Sequence, residues 1–140
     1  MSAPQTIFRL TLPSNPRNIG KVESLLKRVQ QTIQLDEIQF HKMMVSLTEA
    51  VNNAITHGNK ADPKKTVTIR CEILPGWLVT VVSDEGKGFK PDKIKNPLEE
   101  ENLLRTSGRG IFLMRTLMDK VEYEFGKDGA QVVLWLDLKK

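Results

Sequence analysis

Glu49, Asn53 and His57 recur at four-residue spacing in the run Glu49-Ala-Val-Asn-Asn-Ala-Ile-Thr-His57. Residues four apart on an α-helix are offset by only about 40° around its axis. A carboxylate, a carboxamide and an imidazole would then form one polar stripe, with Asn52 beside it. A carboxylate so placed can accept a proton from water or a hydroxyl. An amide oxygen can ligate a hard cation such as Mg²⁺, which keeps few protein ligands when phosphates supply the others. Around the stripe, Met43, Met44, Leu47, Val51, Ala54 and Ile55 describe a helix with a buried side, where an unpaired polar group costs roughly 1–3 kcal/mol. The stripe therefore needs partners, either protein groups or a ligand with a metal ion. Taken alone, Glu-x-x-x-Asn is more often a helix-end cap, and the spacing gives His57 no role.

Two further segments carry chemistry. Asp84-Glu-Gly-Lys-Gly88 follows directly on the apolar run Leu78-Val-Thr-Val-Val82. An acid at a strand end can accept from an exocyclic amine, and glycines let backbone approach a flat ring or a phosphate. The same five residues also suit a surface turn. Ser107-Gly-Arg-Gly110 precedes the apolar Ile111-Phe-Leu-Met-Arg-Thr-Leu-Met118, and glycines before a helix N-terminus offer backbone N–H groups to an anion, with Arg109 adding charge suited to phosphate. Neither glycine segment matches the dinucleotide-binding fingerprint, and no Walker lysine motif occurs. Between them lie some twenty residues with no sustained period. Asn96-Pro97 before Glu99-Glu-Glu101 could open one short helix there. A connection of that length flanked by glycines suits a lid, about residues 89–107.

The elements that must position these residues follow from periodicity and breakers. Residues 6–12 alternate as a strand; residues 17–34 place Ile19, Val22, Leu25, Leu26, Val29 and Ile33 at helical spacing; a second helix covers about 37–57, ended by Gly58-Asn59. Strands are expected at 66–73 and 77–83, a helix at 110–119, and strands at 121–126 and 131–138 turning at Lys127-Asp-Gly129. Hairpins with intervening helices imply an α+β two-layer sandwich: a mixed, mostly antiparallel sheet with its helices on one face.

Composition sets outer bounds. With 140 residues, 39% hydrophobic and 27% charged, the chain reads as a single domain, 1–140, able to bury a core. The net charge of +4 is spread out and aromatics make up only 6%, which argues against direct nucleic-acid binding. No apolar run reaches the length of a membrane helix, and the N-terminus lacks a basic start followed by an apolar stretch. Cys71 is the sole cysteine, so no internal disulfide is expected and a reducing, cytoplasmic setting fits.

In order along the chain, these segments resemble the motifs of the GHKL (Bergerat-fold) ATP-binding superfamily. Glu49-Ala-Val-Asn-Asn53-Ala resembles its N-box, Asp84-Glu-Gly-Lys-Gly88 its first glycine box, and Gly108-Arg-Gly110-Ile-Phe-Leu-Met its second. Within the superfamily the chain is most similar to bacterial anti-sigma factor serine/threonine-protein kinases. The resemblance implies ATP and Mg²⁺ as ligands, Asn53 on the metal, Glu49 as base toward a substrate serine, and Asp84 on the adenine amine. Gly86 and Gly88 would shape the base pocket. Ser107, Gly108, Arg109 and Gly110 would hold phosphates beneath the lid, and Asn52 is counted with this group. It also implies a basic residue near the start of the first helix facing a partner, for which Arg17 and Lys21 are both candidates. The expected partners are a sigma factor, an anti-sigma-factor antagonist bearing the target serine, and a second copy of the chain. Two other readings stay open: an ATP-binding module that only sequesters its partner, and a detached histidine-kinase-type ATPase domain. A third is the same kinase acting on some other partner switch.

Overall fold

The computed structural model describes residues 5–86, 109–126 and 129–139. Strand β1 (Gln5–Pro13) leads into a short 3-10 turn, Pro16–Asn18, whose Asn15 cap accepts the Arg17 N–H at 3.0 Å. Helix α1 (Ile19–Ile33) buries Val22, Leu25, Leu26 and Val29 and stops where Gln34 turns left-handed. Helix α2 (Glu37–Asn53) opens on a capping box: Asp36 Oδ1 accepts from Gln39 N at 2.7 Å, and Gln39 Oε1 accepts from Asp36 N at 3.0 Å. That reciprocal pair satisfies two donors at the chain's entry into the helix. A π-helical turn, Ala54–Gly58, follows. Strands β2 (Thr66–Leu74) and β3 (Trp77–Asp84) form a hairpin; then come α3 (Arg109–Leu117), β4 (Lys120–Gly126) and β5 (Gly129–Asp137).

The five strands lie in the order β1-β2-β3-β5-β4, and all four pairings are antiparallel. This is the expected α+β sandwich, with a physical reason for the absence of parallel pairs among them. β1 ends at Pro13 opposite Thr66, where β2 begins. Two helical passes, α1 out and α2 back, therefore return the chain to the end it left, and β2 must run against β1. The single pass of α3 does send β4 parallel to β3. The β4–β5 hairpin then inserts β5 between them, antiparallel to both.

The main core lies between helices and sheet. Val22, Leu26, Met43, Leu47, Val51, Ile111 and Met114 from the helices meet Val67, Ile69, Leu78, Val82 and Leu134 from the strands. Cys71 is in this core, and burial pushes its thiol up to about 11, so it stays protonated and unreactive. The opposite face carries its own smaller cluster of Val79, Val81 and Val133 under Leu74, Trp77 and Trp135. The indoles meet edge to face, 5.7 Å between centroids at 85°. Lys120 lies over the Trp135 ring, whose Nε1 donates to Glu122 at 2.7 Å. Side chains thus close a sheet face that no helix covers among the described residues. None of the described helices is long and apolar enough to cross a membrane.

Candidate functional site

The polar stripe forms only in part. Glu49, Asn52 and Asn53 are half-buried at the end of α2, as the four-residue spacing requires. Beyond Asn53 the α-helical register is lost: the Asn59 N–H bonds to Ala54 O, five residues back, at 2.8 Å. A π turn of this kind is rare and is frequently found at functional sites. His57 lies within this turn and is exposed, whereas Glu49 and Asn53 are half-buried, so of the three-residue stripe expected on a continuous helix to residue 57 only Glu49 and Asn53 share the half-buried setting. The reason lies one residue beyond Gly58. Asn59 is buried, and its carboxamide is drawn inward by three hydrogen bonds that an uninterrupted α-helix would not place there.

Helix α3 completes the stripe's surroundings. A Cβ added to Gly110 would lie 2.7 Å from Glu49 Oε2 and 3.4 Å from Asn53 Nδ2. Backbone of α3 therefore presses on both side chains at its N-terminal turn, where the unbonded N–H groups of a helix point. Neither the Glu49 nor the Asn53 side chain makes a hydrogen bond to another described residue. A free carboxylate and a free carboxamide beside a helix N-terminus can jointly hold a cation and an anion.

Asp84 forms the other wall. Its Oδ1 accepts from Gly86 N at 2.9 Å and from Ala130 N at 3.1 Å, which fixes the carboxylate plane. Three glycines close around it. A Cβ on Gly58 would strike the Asp84 carboxylate, one on Gly86 would fall on the Gly58 carbonyl, and one on Gly129 would meet the Asp84 carbonyl. Gly129 also sits at φ +149°, a conformation side chains rarely adopt. Burial pushes Asp84 above the usual aspartate range, against the opposing pull of the Gly86 and Ala130 N–H groups and Lys65. Next to it, the exposed Glu85 is held below its usual value because Thr66 donates to it from both N (2.5 Å) and Oγ1 (2.8 Å).

The structure thus brings Glu49, Asn52, Asn53 and Gly110 together, and sets Asp84 and Gly86 against Gly58 just past the same helix. Arg17, in the 3-10 turn, and Lys21, in the first turn of α1, are both exposed; β1 delivers them to the sheet end that carries Asp84. Gly88, Ser107, Gly108, the lid at about 89–107 and the short helix near Asn96 lie outside the described residues. Arg109 is described as the first residue of α3 and no further. Sequence reading missed Asn59, Ser14, Thr66 and Gly129 as parts of the site's frame. Asn59 offered one signal, a helix-terminating asparagine that turned out to be followed by Lys60 and Ala61, both at positive φ.

The profile of the histidine kinase-like ATPase domain family matches residues 12–136. The chain belongs to that family. This histidine kinase-like ATPase domain is 31% identical to a serine-protein kinase RsbW of Staphylococcus epidermidis, covering 100% of this chain and 92% of that one. It is 27% identical to the serine-protein kinase RsbW of Bacillus subtilis over 84% of this chain and 77% of the relative. Among solved structures it superposes on the RsbU and RsbW domains of Rv1364c from Mycobacterium tuberculosis with a TM-score of 0.69 at 17% identity, over 97% of this chain and 32% of that one. At that identity the likeness speaks for the fold alone.

Proposed function

We propose that this domain is an ATP-dependent protein-serine kinase that also sequesters a sigma factor, its substrate being a serine of an anti-sigma-factor antagonist. The observation that carries the reading is the contact of Gly110 with Glu49 and Asn53. It joins the end of α2 to the start of α3 around one acid and one amide, the two groups that such a transfer needs beside the phosphates. The relatives named serine-protein kinase support the same activity.

In this reading the Asp84 carboxylate accepts from the adenine amine, and its fixed plane selects that amine over a carbonyl at the same position. Gly86 and Gly88 shape the base pocket, Gly86 by letting its backbone pack directly on the Gly58 carbonyl beside Asp84. Asn53 offers a neutral oxygen, which fits Mg²⁺ carried in with phosphates; the ion would neutralise charge on the transferring group. Glu49 takes the proton of the incoming serine hydroxyl as its oxygen bonds to the γ-phosphorus and the β–γ bridging oxygen leaves with ADP. Ser107, Gly108 and Arg109 hold phosphates beneath the lid on the strength of their sequence. Arg17 and Lys21 face the partner, and the domain works as a homodimer in the cytoplasm.

The test is Glu49→Gln. Transfer of radiolabelled phosphate to a candidate antagonist should fall by about 10²- to 10⁴-fold, the usual worth of a general base, with ATP affinity nearly unchanged. Acid-stable phosphoserine is the expected product. Transfer that survives the substitution would remove Glu49 from the role of base, and acid-labile phosphate on the domain itself would favour a histidine-kinase-type reaction.

A further inference from the structure

Asn59 is 1% exposed, yet all of its polar reach is engaged. Its Nδ2 donates to Ser14 Oγ at 2.6 Å and to Thr66 O at 2.9 Å; its Oδ1 accepts from Glu85 N at 2.8 Å. A flipped amide would turn donors on the Glu85 N–H and an acceptor on the Thr66 carbonyl, so only one orientation serves. Its own N–H closes the π turn on Ala54 O. Ser14 is buried as well and passes its own hydroxyl proton to Lys65 O at 2.7 Å. One side chain thus ties together the start of the α1 segment, the first residue of β2, the end of α2 and the residue after Asp84.

The contacts around it run in register. Gly58 faces the Asp84 carboxylate, Asn59 holds Glu85, and Gly86 lies on the Gly58 carbonyl. Two short backbone segments, 58–59 and 84–86, lie directly against one another. The side-chain hydrogen bond that joins them among the described residues is the one Asn59 Oδ1 accepts from the Glu85 N–H. On the far side, Thr66 extends the ladder past the end of β3: its N–H goes to the Glu85 carboxylate and its carbonyl to Asn59. The turn that follows holds Lys60 and Ala61 at φ 52° and 57°, a strained pair that persists only when its surroundings fix it.

We infer that Asn59 is the positioning residue for base recognition: by holding Glu85 N–H against the end of α2 it sets the direction of the Asp84 carboxylate, and so the preference for adenine over guanine. The inference rests on the nucleotide reading of the site given above. It separates two functions of that site, because the hydrogen bonds of the Asn59 side chain run to Ser14, Thr66 and Glu85 on the Asp84 side, and none among the described residues runs to Glu49, Asn53 or Gly110. Loss of the amide should loosen base discrimination and leave the phosphate end as it was.

The experiment is calorimetric titration of the whole chain with ATP, GTP and inorganic tripolyphosphate, each with Mg²⁺, for wild type, Asn59→Ala, Thr66→Val and Asp84→Asn. Circular dichroism establishes that each variant is folded at the titration temperature. Asn59→Ala should weaken ATP by about tenfold or more, the scale of one lost buried hydrogen bond, while GTP and tripolyphosphate change little. Thr66→Val removes only the hydroxyl bond to Glu85 and should shift the ATP-to-GTP ratio in the same direction by less; it keeps the question open to an answer if Asn59→Ala does not fold. Equal weakening of ATP and tripolyphosphate, or an unchanged ATP-to-GTP ratio in both variants, would overturn the inference. If Asp84→Asn loses the ratio while Asn59→Ala and Thr66→Val keep it, the nucleotide reading stands and the inference falls. A wild type with no preference for ATP over GTP overturns both.

Discussion

Gly110 stands where two catalytic candidates and a helix backbone meet, and its lack of a side chain is a functional property. In Gly110→Ala the new methyl would sit 2.7 Å from Glu49 Oε2, so the carboxylate must move aside. Displacements of that order at a reacting group cost about 10²-fold in rate. We expect phosphate transfer to fall on that scale, measured beside an ATP affinity that changes far less. Asp84 and Glu85 make a second case, since neighbouring acids respond to pH with opposite signs. Asp84 is raised by burial, so the folded state holds its proton more tightly than the unfolded one. Its contribution therefore falls as pH rises through the window above the ordinary value of about 3.9. Glu85 is lowered by Thr66, so its contribution is present above about 4.3 and is lost as pH falls through the depressed value. Melting temperatures against pH should show Asp84→Asn stabilised at pH 7 and Glu85→Gln with a flattened acid limb. ATP affinity should also decline as Asp84 takes up its proton, and Asp84→Asn should abolish that dependence.

Among the elements, α2 shows what a sequence can and cannot declare. Its start is written in four residues, Asp36 to Gln39, whose capping box is local. Removing the cap with Asp36→Ala should cost about 1 kcal/mol in a denaturant titration, with no change in nucleotide affinity, because the box lies at the far end of the helix from Glu49. At its other end the pattern predicts plain helix to residue 57, whereas α2 gives way to a π turn after Asn53. Its π turn depends on Asn59 finding Ser14, 45 residues earlier, and Glu85, 26 later. Pattern and propensity report neighbours three or four positions apart; they do not report partners that only the folded sheet supplies. The same limit explains why Glu49, Asn53, Asp84 and the glycine segments were visible as types and spacings. The closeness of Gly58 and Gly129 to Asp84 is not legible in the same way, since each of these glycines belongs to a different element.

At the scale of the molecule, the two sides of the sheet divide the work. One face carries helices and site; the other seals itself with Trp77 and Trp135. Trp135→Ala should destabilise the fold by about 3 kcal/mol in chemical denaturation while leaving ATP affinity within twofold, since no group of the site touches that cluster. The antiparallel order β1-β2-β3-β5-β4 was legible as a class from hairpins and intervening helices, and its strict antiparallel character follows from counting helical passes. The strand pairing has one more consequence. Gln5 pairs with Ile73 and Asp137 with Trp77, so both described ends of the chain emerge beside the β2–β3 turn. Asp84 is at the opposite pole of β3, roughly 23 Å away at about 3.3 Å per residue. Tethered to a sensor surface through either described end, the domain would hold the Asp84 end of the sheet away from that surface and toward the flowing solution.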